Sequence, residues 1–149
     1  MNEIETNPRT VEWLDRLQAN GYRLTEPRRA VVETIAASQY VLSPFDVFEL
    51  ARHRYPRLGL VTVYRTIEKL EELELVQRVH QPSGCQAFVA ACKGHQHLLI
   101  CQRCGRVEFF SGDSERMEPL IAEVGRESGF QIEDHWLQLF GQCEICQQS

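Results

Sequence analysis

Apolar side chains recur at Val11, Leu14 and Leu17 in residues 9 to 20, the spacing of one helical face, and Asn20-Gly21 closes the pattern with a C-cap signal. Thr25 with Pro27 opens a second helix carrying Val31, Val32 and Ile35. In Ser43-Pro44-Phe45-Asp46 an N-cap hydroxyl is followed by proline at the first helical position and an acid at the third. A third helix therefore starts there, with Val47, Phe48 and Leu50 as its apolar stripe. Gly59 precedes LVTVYRTIEKLEEL, where Val63, Ile67, Leu70 and Leu73 keep the spacing of a buried stripe while Thr62, Arg65 and Lys69 share the other face.

The period then changes. LELVQRVH alternates, Pro82-Ser83-Gly84 turns, and CQAFVA alternates again, so a hairpin follows the helices. Helices followed by such a hairpin predict a winged helix-turn-helix, whose second turn helix enters the major groove of DNA. Beyond the hairpin the pattern is mixed, with the short apolar run VEFF among the candidate strands. The expected class is α+β: an N-terminal winged helix-turn-helix over 1–89, a hinge at 90–94 and a small α/β domain over 95–149.

Composition changes this picture only in part. The 149 residues are 43% apolar, enough for packed cores, and no run of 18 apolar residues predicts a membrane span. The N-terminal stretch MNEIETNPRT has neither a basic nor an apolar region of the kind that directs export, so the expected compartment is the cytoplasm. The net charge of −5 is unlike that of most DNA binders, yet residues 21 to 65 hold seven Arg against four acids, so positive charge is concentrated where the turn helices are expected.

All six cysteines lie beyond residue 75, and four form two CxxC pairs, Cys101/Cys104 and Cys143/Cys146. In a reducing compartment, two such knuckles describe a tetrahedral zinc site better than they describe disulfides. The 38 intervening residues require a helix and strands between the pairs, with the metal tying the C-terminal segment back to the middle of the chain. A thioredoxin-like dithiol is the alternative, but such a motif opens a helix, and neither pair is followed by a helical pattern. In HQHLLICQRCG, strand alternation places His95 and His97 on one face. Cys92 lies three residues upstream and Glu108 on the next apolar run. Such a set suits zinc, iron, nickel or cobalt.

Four stretches, GYRLTEPRRAVVETI, LGLVTVYRTIEKLEEL, HQHLLICQRCGRVEFF and DHWLQLFGQCEIC, cover most of the chain in the order found in the ferric uptake regulator (Fur) family of bacterial metal-sensing repressors, which the sequence resembles. The resemblance implies a C-terminal dimerisation domain, structural zinc on Cys101, Cys104, Cys143 and Cys146, and a sensory metal at the hinge. It implies DNA contacts from Arg28, Tyr64 and Arg65, beside Thr62 and Lys69 of the helix face. Sensory ligands would be His97 and Glu108 with His95, completed by Cys92 and by His80 of the wing, as in the zinc-sensing branch; Cys85 competes with them. His135 and Glu115 match a further metal site of some members.

This sequence departs from the family in two places. Tyr40-Val41 stands where many iron-sensing members have a histidine ligand, and the interval from His97 to Cys101 is one residue longer. The function so implied is metal-dependent repression of metal-homeostasis genes by a homodimer on inverted-repeat operator DNA, with zinc or iron as the sensory ion. The alternatives are an iron- or peroxide-sensing relative. No membrane and no small-molecule substrate is expected. A zinc deaminase would need H-x-E with P-C-x-x-C, and that pattern is absent.

Overall fold

The computed structural model describes residues 7–111 and 114–149, the side chains of 114 and 115 excepted. The chain divides into two compact units between Ala91 and Cys92, inside the stretch expected as a hinge.

The N-terminal unit contains α1 (Pro8–Ala19), α2 (Glu26–Ala36), α3 (Pro44–Ala51), α4 (Leu60–Glu72), β1 (Val76–His80) and β2 (Gln86–Ala90). Side chains satisfy orphan amides at three of the helix starts. Asn7 accepts from Arg9 N–H, Thr25 from Arg28 N–H, and Ser43 with Asp46 forms a reciprocal capping box. Gly21 takes φ +83° just past α1, a conformation that side chains with a Cβ resist. Leu14, Leu17, Val31, Val32, Ile35, Val47, Val63, Ile67 and Leu70 share one core with Phe88 of β2. β1 and β2 pair antiparallel from Val76 opposite Ala90 to His80 opposite Gln86. Leu42, before α3, exchanges backbone hydrogen bonds of 2.9 and 2.8 Å with Phe88, which anchors the hairpin beside the helices. This is a winged helix-turn-helix, with α3 and α4 as its turn helices.

Two side chains expected inside are outside. Val11 is 45% exposed, because α1 buries Thr10, Trp13, Leu14 and Leu17 and so presents a face rotated from the expected one. Leu50 is 48% exposed, since the two-turn α3 points Val47 and Ala51 inward.

The C-terminal unit contains β3 (His97–Cys101), β4 (Val107–Phe110), α5 (Ser114–Ser128), β5 (Gln138–Gly141) and α6 (Glu144–Gln147). β3 is central, antiparallel to β4 and parallel to β5, with Leu98 opposite Gln138 and Cys101 opposite Gly141. Leu98 and Ile100 are buried on one face of this small sheet, whereas Leu120 and Val124 of α5, with Phe130, Trp136 and Leu139, remain exposed.

Leu70 is fully buried in the helical core. Leu70→Ala is expected to lower unfolding free energy by about 2–5 kcal/mol. The half-exposed Leu50→Ala should change it by no more than about 1 kcal/mol. Equilibrium denaturation of the two variants checks the contrast, and equal losses would misplace the core of this unit.

Candidate metal centres

Cys101 ends β3, and Cys104 follows across a turn closed by Gly105 N–H donating to the Cys101 carbonyl at 2.9 Å. Gly105 has φ +77°, the left-handed conformation that this knuckle requires. Cys143 lies two residues beyond β5 and caps α6, whose inner side carries Cys146. The second CxxC therefore does open a helix, of four residues, contrary to the expectation from the sequence pattern. Its pairing with the first knuckle nevertheless separates it from a lone redox dithiol.

The four sulfurs lie within 4.8 Å of one another, and Cys104 Sγ is 3.8 Å from Cys143 Sγ. Zinc–sulfur bonds of about 2.3 Å in a tetrahedron place sulfurs about 3.8 Å apart, so the donor set and spacing fit that ion. The Cys104 and Cys143 backbone N–H groups hold the Cys101 thiol down to about 6. Burial first, and then the neighbouring thiols, push the Cys146 thiol up to about 12. Arg103 donates to the Cys146 carbonyl at 2.8 Å, pinning α6 over the knuckle.

A second cluster forms from His95, His97 and His135, whose ligand nitrogens also lie within 4.8 Å of one another. His95 Nε2 and His135 Nε2 are 3.0 Å apart, and His97 packs edge-on to His95 with ring centroids 4.9 Å apart. His97 is 2% exposed and its Nε2 has no hydrogen-bond partner. A buried ring nitrogen left unpaired is costly, and a metal bond would satisfy it. Burial first, and then Coulombic interaction with the His95 and His135 rings, lowers the His97 imidazole below its ordinary range, which favours the neutral form that ligates a metal. Metal–nitrogen bonds of about 2.0–2.1 Å in a tetrahedron require nitrogens about 3.3 Å apart, near the 3.0 Å between His95 and His135.

The cluster combines residues that the sequence assigned to two different sites. His95 and His97 were grouped with His80, Cys92 and Glu108, and His135 with Glu115. The sheet register explains the regrouping: β5 runs parallel to β3 with Leu98 opposite Gln138, and the same offset carried back sets 135 beside 95. Glu108 stands opposite Leu99 in β4 and forms an ion pair with Arg106 at 2.9 Å, outside either cluster. Cys92 and Cys85 are exposed thiols outside both, His80 is exposed at the end of β1, and the Glu115 side chain lies outside the described residues.

On α4 the exposed residues are Leu60, Val61, Tyr64, Arg65, Glu68 and Glu72, while Thr62 and Lys69 are half-buried on its shoulder. Lys69 is drawn to Glu72 at 3.3 Å and over the Tyr22 ring, and Arg28 donates to the Arg23 carbonyl at 2.7 Å. Among the described residues no acid pairs with Arg65.

A winged helix-turn-helix on one unit and two clusters of metal-ligating side chains on the other define a metal-responsive DNA-binding protein. The chain belongs to the Ferric uptake regulator family, whose sequence pattern matches residues 19–140. It is 37% identical over 125 residues to the ferric uptake regulation protein of Cupriavidus metallidurans, covering 83% of this chain and 85% of that one. The solved structure of the Helicobacter pylori ferric uptake regulator Fur, described as having three functional metal binding sites, is 25% identical with a TM-score of 0.69 and covers 100% of this chain and 99% of that one. A zinc uptake regulator complexed with zinc and DNA shares the fold, with a TM-score of 0.71 at 22% identity, over 98% of this chain and 97% of that one. The protein is thus a metal-sensing transcription regulator and not an enzyme. None of its helices, among the described residues, is long and apolar enough to cross a membrane.

The two shifted thiols set a pH dependence for the cysteine cluster. With Cys146 near 12, metal must displace its proton throughout the neutral range, and Cys101 joins in only when the pH falls below about 6. Zinc affinity should fall at least about tenfold per unit from pH 8 to 7, and more steeply below 6. Competition with a chromophoric chelator across this range measures the slope; a pH-independent affinity would remove thiolate ligation from the account.

Proposed function

We propose that this protein is a zinc-responsive repressor of metal-homeostasis genes, acting in the cytoplasm as a homodimer on inverted-repeat operator DNA. The four-cysteine cluster holds a structural zinc. The sensory ion sits on His95, His97 and His135, and the buried, unpartnered His97 Nε2 is the observation that carries this reading. Three imidazoles with one coordination position left over suit zinc, which has no geometric demand of its own and is content with four ligands. Three protein ligands also hold an ion less permanently than four thiolates do, as reversible sensing requires.

Dimer formation is supported by the apolar side chains that the C-terminal unit leaves uncovered, Leu120, Val124, Phe130, Trp136 and Leu139, and by β5 being an edge strand. A dimer presents two copies of α4, which is why a twofold operator is the expected target. Arg28, Thr62, Tyr64, Arg65 and Lys69 are the proposed contacts, Arg65 foremost because it is exposed and without an acidic partner among the described residues. Metal acts by binding the DNA-competent state more tightly, and a nearly complete switch takes about 5.5 kcal/mol of differential binding.

A second reading, iron sensing, is favoured by the name of the 37% identical relative, a ferric uptake regulation protein, and imidazoles also take ferrous iron. Protein reconstituted with zinc, iron, manganese or nickel and titrated with promoter duplexes separates the readings by which ion confers DNA affinity.

His135→Ala is expected to remove one of two metal equivalents, leave the cysteine-bound zinc and the fold intact, and abolish metal-dependent DNA binding. Metal analysis, circular dichroism and gel-shift titration report the three outcomes. If the variant keeps its metal response, sensing lies elsewhere. Arg65→Ala should weaken operator binding by at least about tenfold, and wild-type affinity should fall steeply with salt as phosphate contacts release counterions. Salt-independent binding would contradict a phosphate-anchored interface.

A further inference from the structure

The exposed surface of α4 carries apolar side chains that neither charge nor folding explains, Val61 the most exposed of them. Positions 61, 64, 65 and 68 are solvent-facing at the one-four-five-eight spacing of a single helical face, opposite the buried stripe of Val63, Thr66, Ile67 and Leu70. Val61 is 63% exposed on this face, in the first turn of the helix and one turn before Arg65. A β-branched aliphatic residue gains nothing in stability there, because it lowers helix propensity and buries little surface. Tyr64, 47% exposed, adjoins it and extends the apolar part of the face.

We infer that Val61 is a specificity-determining residue that reads the C5-methyl group of a thymine in the major groove, beside the base contacted by Arg65. This rests on the reading of α4 as the DNA-reading helix. The first turn of a recognition helix is the part that approaches base edges. The thymine methyl is the apolar mark on the major-groove floor, and an aliphatic side chain recognises it by contact alone. Arginine reads guanine O6 and N7 as a pair. Four residues of helix rise span about 6 Å, close to two base steps, so the face of α4 would recognise a thymine within about two base pairs of a guanine.

The test selects duplexes from a randomised pool with the full-length zinc-loaded protein, then replaces each enriched thymine singly with deoxyuridine, which lacks only the methyl group. One position per half-site should lose about fourfold in wild-type affinity, the worth of burying one methyl group. Val61→Ala should be insensitive to the same replacement while still preferring the guanine assigned to Arg65. Val61→Thr, which keeps one methyl, should fall between the two. The inference is overturned if no deoxyuridine replacement weakens the wild type, or if Val61→Ala loses as much as the wild type from it. A pool yielding no enriched sequence with any metal would overturn it together with the reading of α4, whereas enrichment without methyl dependence removes Val61 alone. Circular dichroism of the variants confirms that an exposed position has been changed without disturbing the fold.

Discussion

The parallel ladder between β5 and β3, from Leu98 opposite Gln138 to Cys101 opposite Gly141, carries a cluster of side chains able to hold a metal at each of its ends. At the Cys101 end it delivers Cys143 and Cys146 to the first knuckle, and Gln102 N–H donates to the Gly141 carbonyl at 2.8 Å to continue the pairing into the turn. At the other end, Leu98 N–H donates to the Leu137 carbonyl at 3.2 Å, and the chain just before it presents His135 to His95 and His97. A one-residue slip would turn the side chains of β5 to the opposite face and move both C-terminal ligand groups out of reach together. The two clusters are thus coupled by a shared strand register, though they use no ligand in common. A metal bound in the cysteine cluster would fix the register on which the histidine cluster depends.

The cysteine and histidine clusters are suited to different tasks. Four cysteines, Cys101 and Cys146 of them buried, suit a zinc bound as part of folding, since the closed shell would exist only when both knuckles meet. Three imidazoles suit a further ion whose binding does not form the sheet, so occupied and vacant states would differ without unfolding. In the proposed function, a permanent ion separate from an exchangeable one would let the protein respond to metal while keeping its architecture.

In the N-terminal unit charge is used economically. Several basic residues are engaged within the fold, Arg54 with Glu33, Arg78 with Glu71 and Lys69 with Glu72. The exposed side of α4 is left with Val61, Tyr64 and Arg65 beside the acid Glu68. An acidic chain can present such a face because phosphate attraction depends on the local field within about a Debye length, not on net charge.

Much of this was legible in the sequence, because it is encoded locally. Helix starts were marked by Thr25, Ser43 and Asp46 through hydrogen bonds spanning two or three residues, and the buried stripe of α4 by its period. The hairpin was visible in alternation and a turn, and the cysteine cluster in the spacing of two knuckles. Val11 and Leu50 fit a helical period and still face water, because period reveals that a face exists while packing chooses which angle of it is covered. The sequence grouped the histidines differently from the structure for a related reason. His95 and His97 are neighbours in the chain, so their pairing was apparent, but their third partner lies 38 residues beyond His97. Its approach depends on β5 running parallel to β3, a choice made by long-range hydrogen bonding that no local pattern records. The sequence by itself determined the types of ligand and the elements that carry them; only the tertiary structure decided which ligands meet, because strand register is a property of two segments and is written in neither alone.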